Sequence, residues 1–115
     1  MKLVNSCLSQ SLLNQAIGIL FDYDERWFEF FYSHKGGSLR LEPDELLRES
    51  RCFSRGEQVM IRIALDFWSD GRYAGLSEIV DELDWVNLTR VLIAIMKVRD
   101  VSTEDLIELG SRYEG

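Results

Sequence analysis

Apolar residues recur at three- and four-residue intervals along most of this chain, the spacing of helices that each turn one face inward. Leu12, Leu13, Ala16, Ile17, Leu20 and Phe21 predict a first amphipathic helix, opened by a cap at Ser9 or Ser11. A second segment, residues 25–34, starts after Asp22 or Asp24, sets acids at the positive end of the helix dipole, and stops at Gly36-Gly37. Pro43 suits the first position of a short helix through residue 50, anchored by Leu46 and Leu47. Ser54 followed by Glu57 is a capping box, hydroxyl and carboxylate each satisfying a free backbone N–H. The helix it opens carries Val59, Met60, Ile63, Ala64 and Phe67 on one face. Gln58, Arg62, Asp66 and Ser69 lie on the other, Arg62 and Asp66 one turn apart, and Gly71 ends it.

Further along, residues 77–83 and 85–98 read as a short and a longer helix, the longer one capped by Asp84. Leu88, Val91, Leu92, Ile93, Ala94, Ile95 and Met96 leave it almost no polar face, which predicts a buried central helix. Ser102 with Asp105 opens a last amphipathic helix through Leu106, Ile107, Leu109 and Tyr113, which Gly110 weakens. The alternation Leu39-Arg40-Leu41 is too short to support a sheet. The expected fold is therefore all-α: a compact single domain over residues 1–115, built as a bundle of five to seven short helices with a buried helix near residues 85–98.

Composition fits one core. A chain of 115 residues with 46% hydrophobic content buries roughly two-thirds of its unfolded surface. No segment approaches the ~20 apolar residues of a membrane span. The run Leu-Val-Asn-Ser-Cys at residues 3–7 is like a lipoprotein cleavage site, but six residues before Cys7 are too few for a signal peptide. Cys7 and Cys52 are read as reduced, and the chain as cytoplasmic.

A formal charge of −7 disfavours direct nucleic-acid binding. The imbalance sits mostly in residues 73–115, with four basic and nine acidic groups.

Catalytic chemistry finds little purchase. With one histidine, His34, and two cysteines 45 positions apart, no zinc set can be assembled. His34 suits the last turn of its helix, where a cation favours the dipole. A calcium loop counted from Asp22 would put Trp27 where glycine is needed and Ser33 where glutamate is needed, so capping explains those acids. Gly36-Gly37-Ser38 lacks phosphate-loop spacing, and no nucleophile-elbow motif occurs. The chain thus reads as non-enzymatic, without cofactor or metal.

Two surfaces remain as candidate partner sites. Arg48, Arg51 and Arg55, with Arg62, are spaced to line a cationic strip, with Glu45, Glu49, Glu57 and Asp66 able to neutralise it. The run from Trp27 to Tyr32, in which Trp27, Phe28 and Phe31 are the candidate contacts, holds too many rings for one narrow core stripe. The leading functional reading is a small protein-interaction protein, an inhibitor, adaptor or assembly subunit whose partner is another protein or itself as a homodimer. A second is an acidic nucleic-acid mimic of the phage anti-defence kind, using Glu78, Asp81, Glu82, Asp84, Glu104, Asp105 and Glu108 in place of phosphates.

A third rests on residues 76–83, Leu-Ser-Glu-Ile-Val-Asp-Glu-Leu, which resemble the first helix of bacterial helix-turn-helix repressors. The resemblance implies a degenerate DNA-binding regulator in which residues 76–99 form the reading unit. Asp84-Trp85-Val86 stands in place of the usual glycine-containing turn, and Arg90 and Lys97 are the cations ahead of Arg99.

Overall fold

In a computed structural model that describes residues 9–34, 37–69 and 71–114, the chain is an all-α bundle. Among those residues the helices are α1 (Gln10–Leu20), α2 (Glu25–Phe31), α3 (Pro43–Glu49), α4 (Arg55–Trp68), α5 (Leu76–Glu82), α6 (Trp85–Arg99) and α7 (Thr103–Gly110), with one 3-10 turn (Ser50–Cys52) between α3 and α4. Cys7 and the lipoprotein-like run lie outside the described residues; Cys52 is a free, exposed thiol.

The helix starts follow from short polar side chains. Ser9 caps α1, its hydroxyl accepting from Leu12 N at 3.2 Å, and Asp24 caps α2, accepting from Arg26 N at 2.9 Å. The Arg26 guanidinium returns to the same carboxylate at 2.7 Å and, with that backbone bond, holds the Asp24 carboxyl below its usual range. Pro43 opens α3. Ser54 and Glu57 form the capping box of α4, at 3.2 and 3.1 Å, and Ser102 and Asp105 repeat it at α7.

Helix α2 ends at Phe31, three residues short of the expected stop. Tyr32 turns extended and makes one antiparallel bridge with Leu39, Arg40 N donates to Phe31 O at 2.7 Å, and Ser33 N donates to Ser38 O at 3.2 Å. This local pairing satisfies the backbone groups that another helical turn would have used. His34 consequently lies beyond the helix, where the dipole role expected for it does not arise.

The core lies between α1, α4 and α6. Helix α1 contributes Leu13, Ala16, Ile17 and Leu20, and α4 contributes Val59, Met60, Ile63 and Ala64. Ile61, Leu65 and Trp68 are buried as well, because α4 packs against α1, α3 and α5 and so has more than one covered side. Phe31 and Leu46 close the lower end, both without exposed surface. Trp68 Nε1 donates to the Tyr32 hydroxyl at 3.2 Å within the core; burial raises the Tyr32 pKa, and this bond partly opposes the shift.

Between α1 and α2 the chain reverses through two consecutive left-handed residues, Asp22 (φ 57°) and Tyr23 (φ 55°), with Tyr23 N donating to Gly18 O at 2.7 Å. A Cβ at position 18 would overlap the Tyr23 ring, so glycine there is what lets the ring fold back onto α1.

One expectation is overturned. Helix α6 is not swallowed by the fold: it buries Val91 and Ala94, with Leu88 and Val98 packed against the core, and leaves Leu92, Ile93 and Ile95 exposed. The bundle covers α6 chiefly from the α1 side, and Leu92, Ile93 and Ile95 stand outside that contact.

Candidate interaction surface

Among the described residues, every large apolar side chain that stands well exposed, Tyr23 apart, lies between positions 76 and 113. Isolated exposed apolar groups are ordinary; this segregation is not. Along α6 the residues Trp85, Leu88, Leu92 and Ile95 recur at three, four and three positions, a coiled-coil type of seam. Leu88 is half-buried at the core edge, while Trp85 is 78%, Leu92 54% and Ile95 47% exposed.

After Arg99 the left-handed Asp100 (φ 62°) terminates α6, with Val101 N donating to Met96 O at 2.9 Å, and the chain turns into α7. Helix α7 presents Leu106 (55% exposed), Ile107 (65%) and Leu109 on one side and has no substantial packing against any other described element. An eight-residue helix is marginal alone in water, and this one is amphipathic, opens on a capping box, and has no described element covering its apolar side.

Charge divides between the same two helices. The sequence of α6 holds Arg90, Lys97 and Arg99 and no acid, whereas α7 holds Glu104, Asp105 and Glu108 and no base. Among the described residues no ion pair joins the two; Arg90 lies 3.8 Å from Asp22 of the α1–α2 turn.

The aromatic run is dispersed by the fold. Phe31 is wholly buried and so cannot be a partner contact; its ring packs on Phe21 and Phe30. Trp27 is half-buried, stacked on Phe21 at 4.5 Å and against Phe53 at 5.1 Å. Phe28, also half-buried, sits between Tyr23 (6.5 Å) and Tyr32 (6.1 Å) in a groove of about 790 Å³ between α1 and α2, with Glu25 and Glu29 among its polar lining.

The cationic strip is split as well. Arg48, Arg51 and Arg62 border one hollow of about 280 Å³ with Asp44 and Gln58, and Arg55 is not part of its lining. Arg55 instead forks onto Glu82, both contacts 3.2 Å, and Arg62 donates to Glu78 at 2.7 Å, two ion pairs that clamp α5 along α4. Arg62 therefore does not pair with Asp66 along its own helix. The Asp66 carboxylate accepts from Tyr73 N at 2.7 Å and Ala74 N at 3.0 Å and fixes the loop into α5. Arg40 is committed too, to Phe30 O at 3.0 Å and Glu49 at 2.7 Å.

Among the described residues no three histidine, cysteine or carboxylate groups converge as metal ligands, and no helix is long and apolar enough to cross a membrane. The apolar sides of α6 and α7 are not among the partner sites expected from the sequence, because α6 reads as interior and becomes a docking candidate only once it is exposed; the three-four-three spacing of Trp85, Leu88, Leu92 and Ile95 was the signal available for it.

Compared with known proteins, the chain matches no family model, no curated sequence and no solved structure.

Proposed function

We propose that this chain acts without chemistry of its own, by docking a protein onto the apolar face formed by α6 and α7. The observation that carries this reading is the concentration of exposed large apolar side chains in the C-terminal helices, while α1 and α4 hold their own inside. Burying such surface is the main favourable term in protein association, and monomeric proteins seldom leave large apolar patches in water.

The alternatives draw less support. A mimic of nucleic acid needs free carboxylates, yet four of its seven acids are engaged: Glu78 and Glu82 by arginines, Asp84 in the cap of α6 and Asp105 in the capping box of α7. A DNA reader needs donors along its second helix, and the exposed middle of α6 offers Leu92, Ile93 and Ile95, its exposed cations Lys97 and Arg99 lying in the last turn.

A photo-crosslinking residue placed at Ile107, and separately at Leu92, is expected to give discrete protein adducts in cells that make this chain. The same residue at Glu45, exposed on α3, gives none. Adducts from position 45 with none from positions 92 and 107 would overturn the assignment.

A further inference from the structure

We infer that the protein docked on this face is a second copy of the chain, with α6 of each copy receiving α7 of the other about a two-fold axis. This rests on the docking role proposed for the same face and adds the identity of the occupant.

Three observations point to self-pairing. Helices α6 and α7 each show an apolar side that no described element covers. Their net charges are opposite, three cations against three acids, so the surface complementary to α6 is one that every copy already carries. A two-fold interface demands this kind of reciprocity, in which residue i meets residue j and j meets i.

The amount of surface agrees. Leu92, Ile93, Ile95, Val101, Leu106, Ile107, Leu109 and Tyr113 retain between 39% and 81% of their accessible surface. At about 100 Å² each they amount to roughly 800 Å² per copy, the share one partner contributes to a standard interface. Lys97 and Arg99 at the end of α6, and Glu104 and Glu108 on α7, are all exposed and available as flanking charges. Such flanking pairs set partner choice and orientation in paired helices.

Sedimentation equilibrium of the full chain, from low micromolar to about 100 µM, tests this directly. The expected species has twice the 13.4 kDa chain mass. Leu106→Glu with Ile107→Glu shifts the transition to at least about tenfold higher concentration, roughly 1.4 kcal/mol of association. Both positions are exposed, so an unchanged circular dichroism spectrum is expected and separates lost pairing from lost folding.

The decisive arm uses reversed charge blocks. Lys97→Glu with Arg99→Glu makes both helices acidic, and Glu104→Lys with Glu108→Lys leaves a net positive charge on each; either variant alone is expected to dimerise more weakly. Mixed in equal amounts they restore opposite charges at both reciprocal contacts, so a mixed dimer is expected to recover. A wild-type chain that stays monomeric throughout the range overturns the inference, as does a mixture that fails to recover. If the chain is monomeric while Ile107 cross-links a different protein, the self-pairing fails and the docking role stands.

Discussion

Helices α4 and α6 are nearly equal in length and differ in what their apolar residues meet. Helix α4 buries seven of its fourteen residues, whereas α6 buries two of fifteen, although α6 carries the longer unbroken apolar stretch. The difference lies in placement. Helix α4 lies against α1, α3 and α5, so apolar groups all round it find partners; α6 leans on α1 and ends the packed body. Apolar content measures how much surface a helix can bury, and the neighbours decide how much it does. Where the neighbours run out, the remaining apolar surface stays exposed.

The strongest test of that division is to truncate one large apolar side chain on each side. Phe31 is fully enclosed, and Phe31→Ala is expected to cost about 3–5 kcal/mol, the usual range for emptying an aromatic site in a packed core. Leu109→Ala, in a chain dilute enough to be unpaired, is expected to stay within about 0.5 kcal/mol. Urea unfolding measures both. Comparable losses at the two positions would mean that α7 belongs to the packed body after all.

What could be read from the chain before its structure divides along similar lines. Caps rest on residues two or three positions apart, so Ser54 with Glu57, Asp84 and Ser102 with Asp105 were legible, as was Pro43 at the head of α3, while Ser9 and Asp24 were each one of two candidates, beside Ser11 and Asp22. The end of α2 was not, because it depends on Tyr32 pairing with Leu39 across the turn. The roles of the arginines were hidden for the same reason: Arg55 and Glu82 are 27 positions apart, and Arg62 and Glu78 are 16 apart. Spacing put Trp27, Phe28 and Phe31 on a helix but could not say which rings Phe21 and Phe53 would enclose. The exposed face of α6 is the sharpest case, since periodicity identifies an apolar face without showing whether anything stands opposite it.

A smaller effect probes the joint between body and C-terminal helices. Asp66, on α4, takes two backbone N–H groups of the loop into α5. Asp66→Ala leaves those donors unmatched and is expected to cost about 1.5–3 kcal/mol, the range for hydrogen bonds to a charged group. Hydrogen exchange adds the location: the amides of Tyr73 and Ala74 and those of α5 should exchange faster, while the α1 amides change only with global stability. Exchange in α5 that stays as protected as before would show that the Arg55–Glu82 and Arg62–Glu78 clamps suffice to hold it.

The least effect expected is one of pH, and it belongs to the buried side. Tyr32 has its pKa raised by burial, so its neutral hydroxyl is favoured in the folded chain over the unfolded one, where it titrates near 10.0. Its contribution to stability is thus fully present below pH 10 and is lost as pH rises from there through the higher folded value. Tyr32→Phe keeps the ring packed against Trp68 and removes both the titration and the bond from Trp68 Nε1. At pH 8 the variant should be less stable by about 1 kcal/mol, the net worth of one hydrogen bond. Above pH 10 the gap between the two chains should narrow, because only the wild type retains the Tyr32 hydroxyl whose ionisation favours unfolding. A gap of constant size from pH 8 to 11 would place that hydroxyl in contact with water and overturn the burial assigned to it in the packed body.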